Sequence, residues 1–508
     1  MDMTNLCKFH PIHSSSTAMA SKSSTRTRSP FNDPRRAARV DIVIDQLRRH
    51  GTTTVHQLST YRKDCVAAYR ICGNKHVDPC ELIRYCCSLD EAKLEGQDIL
   101  VLGDGSSVNL GLSGHGTRQS WADQHSCLVN SKVPGFQFMA GLVINETTHH
   151  IIGLSDIVYY DSPRDHRPSE ERHRERSHRL KLPLQQRESG CWTILADNST
   201  KALSAAKRVT FVYDREADSM ETMAHLMQQT CVDFIIRCKY NRQVSIEGTN
   251  EYAKLNDALA GVEWKGRRKF KIRGLNHYSH TKGKKRKRKA RAAKLKIRYA
   301  RLKPMPNKDY SKYHAERPAV KSALTLVEVY EDASTVPAGE GPIHWQLWTT
   351  WPINSLDAAW EVVKAYRGRW NVEQLFRLLK SDGMTIEKSQ LRHPDHIKRL
   401  LIMAIKASAD ALRLVQVREG ETLVGIEEMF DHRQQLLLSK LNESLSDPRT
   451  VVINPHASNN LAFAAWIIAR LGGWKGYASQ RPPGPITMHR GLEKFHDAFE
   501  IFNLITPL

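Results

Sequence analysis

Apolar positions near the start of the chain recur at helical spacing. Val40, Ile44 and Leu47 lie on one helical stripe, and Gly51 follows them as a stop signal. Similar spacing continues to about residue 95. The pattern predicts a helical segment over 31–95.

The apolar runs then become short and are bounded by turn residues. The runs at 98–108, 136–146 and 150–161 have strand character, and "TTH" separates the last two. Three strands joined in this way predict an antiparallel meander. The continuous apolar run "RVTFVYD" (208–214) predicts a buried central strand, followed by a helix and a further strand over 233–240.

Beyond residue 240 the chain is basic and broken, then strand-like, then mostly helical. The last helix carries a stripe of Leu492, Phe495, Phe499 and Phe502. A meander followed by strand–helix–strand predicts an α/β fold with an RNase H-like mixed sheet, a β-rich insertion and flanking helical domains. The predicted domains are a disordered tail (1–30), a helical domain (31–95), the first part of the core (96–240), a basic β insertion (241–345), a long-helix part of the core (346–395) and a helical domain (396–508).

Composition points to the class of partner. The chain has 508 residues, a formal net charge of +22 and a pI near 9.6. Such an excess of positive charge favours a polyanionic partner, with nucleic acid first and a membrane surface second. No window approaches the length of apolar sequence that spans a bilayer, so we expect no membrane span. The ten cysteines lack paired spacing and are expected to be reduced thiols, without structural zinc.

Two aspartates lie at predicted strand positions where an uncompensated charge would be unfavourable. Asp104 lies in the first predicted strand between Gly103 and Gly105, which let backbone or ligand approach closely. Asp214 ends a buried strand, the edge at which open α/β sheets bind ligands. An acid there is costly unless it is solvated, paired or bound to a cation. The plain alternative for each is a turn or cap residue.

The stretch "AYRGRWNVEQLFRLLKSDG" (365–383) aligns four functional side chains. At about 100° per residue, Tyr366, Arg369, Glu373 and Lys380 fall within one narrow arc of a single helix. Two cations, a phenol and one acid suit a phosphate backbone held near a metal ion. The alternative for the acid is an ordinary surface ion pair of Glu373 with Arg369 or with Arg377.

These motifs together resemble a known family. The spacing Y-x2-R-x3-E-x6-K, with "YDREAD" (213–218) and "LGDGSS" (102–107), is similar to the signature of the IS-four family of DDE transposases. "DPRRAAR" (33–39) and "IARLGGW" (468–474) resemble terminal segments of a member of that family. Gly105 departs from the family pattern, which has Thr after the first aspartate.

The resemblance implies a catalytic triad of Asp104, Asp214 and Glu373 holding two Mg²⁺ ions, with Mn²⁺ as a substitute. Carboxylate oxygens are the ligands that such hard cations prefer, and two ions serve both ends of a phosphodiester displacement. It also implies DNA contacts by several other residues, namely Tyr366, Arg369, Arg377, Lys380 and Trp345. Trp345 would stack a flipped base, and its alternative is a core strand residue.

The terminal domains acquire expected roles from the same resemblance. Residues 31–95 would bind transposon ends, with Arg39, Arg49 and Arg70 as candidate DNA contacts. The C-terminal helices would form a homodimer, although the stripe from Leu492 to Phe502 fits an ordinary core face equally well. The basic run at 282–303 has three interpretations: solvated charge, contact with the DNA backbone, or a nuclear localisation signal.

The function expected is that of a cut-and-paste DNA transposase. It would bind terminal repeats, cleave DNA by metal-dependent hydrolysis and hairpin formation, and join the 3′ ends to target DNA. One alternative is a catalytically silent, transposase-derived DNA-binding protein or inhibitor. Another is a structure-specific metal-dependent nuclease. The expected location is cytoplasmic and nucleoid-associated in a bacterial host, or nuclear in a eukaryotic one.

Overall fold

A computed structural model describes most of the chain beyond residue 30. The described residues are 31, 33–59, 61–110, 128–130, 133–160, 184, 187–249, 251–272, 274–279, 284–306, 319–380, 383–420, 423–446, 452–477 and 479–506. The predicted tail at 1–30 therefore lies outside them, as do residues 161–183.

The described chain contains helices and strands in blocks, with helices at both ends and most strands between them. The helices are α1 (Pro34–His50), α2 (Arg62–Gly73), α3 (Pro79–Cys86), α4 (Glu91–Leu94), α5 (Cys191–Ala202), α6 (Met220–Leu226), α7 (Leu255–Ala260), α8 (Leu356–Gly368), α9 (Trp370–Lys380), α10 (Pro394–Val417), α11 (His432–Leu445), α12 (Leu461–Leu471) and α13 (Pro485–Ile505). The strands are β1 (Asp98–Asn109), β2 (Leu128–Asn130), β3 (Val133–Asn145), β4 (Ile151–Tyr160), β5 (Arg208–Tyr213), β6 (Val232–Arg237), β7 (Gln243–Ile246), β8 (Tyr252–Lys254), β9 (Gly266–Ile272), β10 (Leu275–Ser279), β11 (Lys284–Arg288), β12 (Arg291–Pro304), β13 (Leu324–Glu331) and β14 (His344–Thr349).

The chain divides into two compact units. The first unit comprises the described residues within 1–174, 197–207 and 370–508. The second comprises those within 175–196 and 208–369. The division falls inside α5 and again between Arg369 and Trp370.

The first unit contains the predicted meander. β3 pairs antiparallel with β1 and with β4, which confirms the three strands expected from the sequence. The short strand β2 also pairs with β3, and the apolar pattern did not predict it. The first half of β1 is buried from Ile99 to Gly103, so this part of the strand lies in the core of the unit.

Helices pack around this meander for reasons visible in the sequence. Asp33 caps α1 by accepting a hydrogen bond from the Arg35 amide, and Pro34 opens the first turn. Gly51 ends α1 in the left-handed conformation and donates its amide to the Leu47 carbonyl. The long, apolar α10 contacts α1, α9, α12, α13 and β4, and forms the centre of the helical part of this unit.

The second unit contains the mixed sheet. β5 and β6 are parallel and are joined through α6, and the strands then follow the order β6-β14-β13-β12-β7-β8. β14, β13, β12 and β9 are antiparallel to their neighbours. The sequence from residue 241 onward is thus the expected β-rich insertion. Together with the meander and the flanking helices, it confirms the predicted mixed α/β, RNase H-like class of fold.

Two expectations about surface chemistry can be compared with the described residues. No helix in the described part of the chain combines the length and hydropathy needed to cross a membrane. The cysteines of that part are free thiols, and burial raises the pKa of Cys72 and of Cys86 to about 12. Buried, protonated thiols of this kind act as small apolar side chains.

Candidate active site

Asp104 is a half-buried residue of β1 that directly follows the buried run from Ile99 to Gly103. It lies opposite Ala140 of β3, and its carboxylate accepts a hydrogen bond from the Gly105 amide at 3.0 Å. A Cβ at Gly105 would lie 3.3 Å from the Tyr160 hydroxyl. The close approach expected at this glycine is thus made by a side chain of the fold itself.

Helix α9 covers the face of the meander that carries Asp104. Ser106 lies opposite Phe138, and directly opposite side chains share a face, as do positions two apart on a strand. Phe138 contacts Phe376 of α9 edge to face, with ring centroids 5.3 Å apart. The face bearing Asp104 therefore faces α9.

The direction of α9 can be read from its C-terminal end. The charge of the Glu387 carboxylate acts to raise the pKa of Lys380. That carboxylate accepts a hydrogen bond from the amide of Asn109 at 3.0 Å. Lys380 thus lies toward the end of β1. Glu373 lies one turn before Phe376 on α9. Asp104 and Glu373 thus belong to the same unit, in which α9 packs on β1 and β3.

Asp214 occupies the carboxyl end of β5, as the sequence predicted. Its carboxylate accepts a hydrogen bond from the Glu216 amide at 2.8 Å and caps the short 3-10 helix Arg215–Ala217. The capping alternative and the edge position therefore both hold for this residue. One carboxylate oxygen is used by the cap, and the side chain remains half-buried rather than enclosed.

A cluster of side chains surrounds Tyr366 in the second unit. Its ring meets Trp345 edge to face, with centroids 5.4 Å apart and planes at 66°. The Arg369 guanidinium lies 6.0 Å from the centre of the Tyr366 ring. Arg237 hydrogen-bonds the Tyr366 hydroxyl, and Asp214 is close enough to act on its charge. Burial raises the pKa of Tyr366, so the phenol stays protonated at neutral pH.

Arg237 is the member of this cluster that sequence reasoning missed. It ends β6, which runs parallel to β5, and Tyr213 lies beside Ile236 in the register. The residues after those two positions, Asp214 and Arg237, therefore reach the same edge of the sheet. The signal was present in "DFIIRCKY", where a cation ends an apolar strand just as Asp214 does.

The predicted single helix through the motif is wrong. α8 ends at Gly368 and α9 begins at Trp370, so the four motif residues do not share an uninterrupted helix. The Arg369 amide bonds the Tyr366 carbonyl three residues back, at 3.1 Å, instead of the carbonyl four residues back. Gly368, a poor helix former, precedes this tightened turn. Tyr366 and Arg369 consequently belong to one unit, and Glu373 and Lys380 to the other.

The remaining cations of α9 have different environments. Burial lowers the pKa of Lys380, and the Glu387 carboxylate partly opposes this effect. Arg377 is exposed. Both lie in the last turn of α9, where cations also favour the helix terminus.

The candidate DNA contacts near the N-terminus differ in their exposure and in the ion pairs that they form within the protein. Arg49 pairs with Glu500 of α13, and with Asp45 at 2.9 Å. A structural role therefore accounts for Arg49. Arg39 is half-buried on α1, and Arg70 is exposed on α2.

Asp104, Asp214 and Glu373 are each half-buried, and each offers carboxylate oxygens, the ligand type that hard divalent cations prefer. Among the residues that the structure describes, no three His, Cys, Asp or Glu side chains are gathered closely enough to hold a metal ion. These residues therefore fit a metal ion in the type of ligand that they offer.

Comparison with known protein families gives one finding for this region. Residues 192–409 match the family model described as the transposase DDE domain. The match supports a DDE transposase. It includes Asp214, Arg237, Trp345 and the whole motif from Tyr366 to Lys380, whereas Asp104 precedes it. Transposases of this type generally use divalent metal ions and bind DNA.

Proposed function

We propose that the protein is a cut-and-paste DNA transposase of the kind found in the IS-four family. The observation that carries the proposal is the cluster of Asp214, Arg237, Trp345, Tyr366 and Arg369 inside the segment that matches a transposase DDE domain. An acid, a protonated phenol, two guanidinium groups and a tryptophan in one place suit a DNA strand held beside a metal-binding carboxylate.

The acids have the role of metal ligands in this proposal. Asp104, Asp214 and Glu373 would hold two Mg²⁺ ions, or Mn²⁺ in their place. When bound, such ions lower the pKa of an attacking water or 3′-hydroxyl and stabilise the leaving oxygen. The cap that Asp214 forms fixes one of its oxygens, which orients the carboxylate before any ion binds.

The phosphate contacts fall to the cations and to the phenol. The Tyr366 hydroxyl, held by Arg237, remains a hydrogen-bond donor to a phosphate oxygen because burial keeps it protonated. Arg369, Arg377 and Lys380 would add charge along the same strand. Trp345 would stack an unpaired base next to Tyr366, which offsets the cost of a tight hairpin.

Self-association has support at the C-terminus. The stripe of Leu492, Phe495 and Phe502 is buried within the chain, which supports a core face for these residues. The last turns of α13 nevertheless expose Ile501, Leu504 and Ile505, at 60%, 82% and 74% of their surface. Exposed apolar side chains of this kind favour a homodimer that pairs two transposon ends.

The test is a cleavage and joining assay on linear DNA that carries the terminal repeats with flanking sequence, together with a target plasmid. The wild-type protein should nick, form hairpins, release the flanks and insert the ends when Mg²⁺ is added. Asp214→Ala should bind the ends and do none of these, whereas the exposed Asp257→Ala serves as the matched control. Cleavage without end sequences and without joining would instead identify a structure-specific nuclease.

A silent DNA-binding protein is the second candidate. It is favoured by one observation, namely that the described residues contain no gathered set of three metal-ligating side chains. End binding by the wild type without any Mg²⁺-dependent cleavage would select this function.

A further inference from the structure

The insertion sheet has one face that α8 covers. Phe270 of β9 packs on Trp360 of α8, with ring centroids 5.5 Å apart, and Trp345 of β14 packs on Tyr366. A Cβ at Gly266 would lie 2.7 Å from Leu356 at the start of α8. These contacts define the covered face of β9, β12, β13 and β14.

The opposite face carries a row of cations and rings. Arg267, Lys296, Tyr330 and His344 are directly opposite one another on β9, β12, β13 and β14. Directly opposite side chains share a face, and Phe270, at odd spacing from Arg267, points to the covered side. The row therefore crosses four strands on the side away from α8.

Cations and rings contact one another along this row. The Lys296 ammonium lies 4.3 Å from the centre of the Trp264 ring and 5.5 Å from that of Tyr330. The Tyr330 and His344 rings meet at 5.1 Å. The Arg298 guanidinium also lies over Trp264, at 4.3 Å. Each contact falls within the range of cation–ring and ring–ring attraction, so the row is held in place before any ligand arrives.

The row belongs to a surface with an excess of positive charge. We call it the cation–ring face and define it by Trp264, Arg267, Lys269, Lys294, Lys296, Tyr330 and His344. Lys269 lies opposite Lys294 in the next row of the same face. The nearby acid Asp332 interacts with Arg267 and Lys294 and compensates only part of this charge.

The buried acid beneath this surface is already neutralised. Glu328 accepts hydrogen bonds from Arg298 at 2.5 Å, from His344 at 2.7 Å and from Gln346 at 3.0 Å. It therefore does not offset the charge of Lys269, Lys294 or Lys296. The lysines are exposed or half-buried, so their ammonium groups can reach a ligand.

We propose that the cation–ring face binds an unpaired DNA strand, with phosphates on Lys269, Lys294 and Lys296 and bases stacked on Tyr330, His344 and Trp264. This inference deepens the proposed function, on which it rests for the choice of DNA as the polyanion. Neighbouring rings and cations suit the bases and phosphates of a single strand, whereas the bases of a duplex are paired and stacked on one another and do not reach the rings. The site is on the face of the sheet opposite the one on which Tyr366 of α8 packs.

The test measures DNA binding without Mg²⁺, by anisotropy of a labelled strand of about twelve thymidines and of a duplex of equal length. Lys269→Gln/Lys294→Gln/Lys296→Gln should weaken strand binding at least about tenfold and reduce the salt slope by about 2. Lys254→Gln/Lys321→Gln/Lys364→Gln is the matched control, because it removes equal charge from exposed lysines elsewhere in the unit. It should change the affinity by less than about twofold.

A second variant tests the rings. Tyr330→Leu should lower affinity for the strand by about fivefold or more and leave duplex affinity unchanged. Equal losses in the two triple variants, or equal binding of strand and duplex by the wild type, would overturn the inference. Failure of this inference can be distinguished from failure of the proposed function, because DNA cleavage at the transposon ends is measured in a separate assay of the wild type. Strand binding with no cleavage would retain this site and reject the transposase activity.

Discussion

Trp345 and Tyr366 meet edge to face, with ring centroids 5.4 Å apart, at the point where β14 and α8 approach each other. Trp345 is half-buried, so one part of its ring packs on Tyr366 and another part is open to a ligand. The contact with Tyr366 gives Trp345 a packing role in the fold, and its role as a platform for a base stays a prediction.

Replacing the tryptophan should affect the hairpin step in particular. Trp345→Ala removes the stacking surface, so hairpin formation should fall about 5- to 100-fold, while the first nick is retained. Trp345→Phe should keep most of the hairpin product because it keeps a ring. Denaturing gels resolve the nick from the hairpin. A variant that loses both products together with its thermal transition would show a purely structural tryptophan.

Arg237 should act through Tyr366 as a positioning residue. Arg237→Gln removes the charge beside the phenol, and we expect cleavage to fall about tenfold with unchanged end affinity at low salt. Arg237→Lys retains the charge and should restore part of the rate. Single-turnover cleavage at saturating protein is the measurement. Equal rates for wild type and Arg237→Gln would remove Arg237 from the site.

The ion pair of Arg48 with Asp410 should be a major contributor to the stability of the first unit. Burial raises the pKa of the Asp410 carboxyl, but Arg48, Lys406 and Arg413 outweigh this effect and the pKa is lowered overall. The carboxylate therefore stabilises the fold above about pH 4, and this contribution is lost as pH falls below that value. Asp410→Asn should cost about 3 kcal/mol, because it leaves Arg48 with a broken, largely buried ion pair.

The control for that variant is Asp45→Asn. Asp45 also pairs with Arg48, at 3.5 Å, but its side chain is 38% exposed. The expected loss is below about 1 kcal/mol. Urea unfolding at pH 7 measures both variants, and equal losses would contradict the importance given to burial.

Asp156 should show the opposite dependence on pH. Its side chain is buried in β4, which raises its pKa to about 6, although the Asn198 amide donates a hydrogen bond to it at 2.9 Å. The folded pKa exceeds the unfolded value of about 3.9, so stability is complete below about pH 4 and declines as pH rises through about 6. The total loss is about 3 kcal/mol for a shift of about two pKa units.

Asp156→Asn should remove this decline, since an amide keeps the hydrogen bond without a charge. Its advantage over the wild type should be absent at pH 4 and largest at pH 8, where the melting temperature should be higher. Asp257→Asn, an exposed aspartate, is the control. A pH-independent difference between Asp156→Asn and the wild type would show that Asp156 does not titrate in this range.

Local signals in the sequence were sufficient for many elements of the fold. Asp33, Pro34 and Gly51 delimit α1 because capping depends on neighbouring backbone groups. The apolar run before Asp214 predicted β5 because a strand buried on both faces leaves few polar positions. The capping residues and the apolar run each lie within a few residues of the element that they predict.

The features that the sequence did not predict depend on longer-range geometry. The break occurs where the Arg369 amide bonds the carbonyl three residues back instead of four. The helical spacing of side chains continues on both sides of this break. Arg237 reaches Tyr366 only because β6 lies parallel to β5 and β14 pairs with β6. Such pairings are set by tertiary packing, which the pattern of one segment does not contain.

We propose that Asp104, Asp214 and Glu373 share metal ions in the DNA-bound protein. Replacing Mg²⁺ by Fe²⁺ and adding ascorbate and peroxide generates hydroxyl radicals at the metal, which cut the nearest backbone. The protein fragments should end near residues 104, 214 and 373 together, and all of them should be lost in Glu373→Gln. Fragments near only one of these positions, or the same fragments in Glu373→Gln, would contradict it.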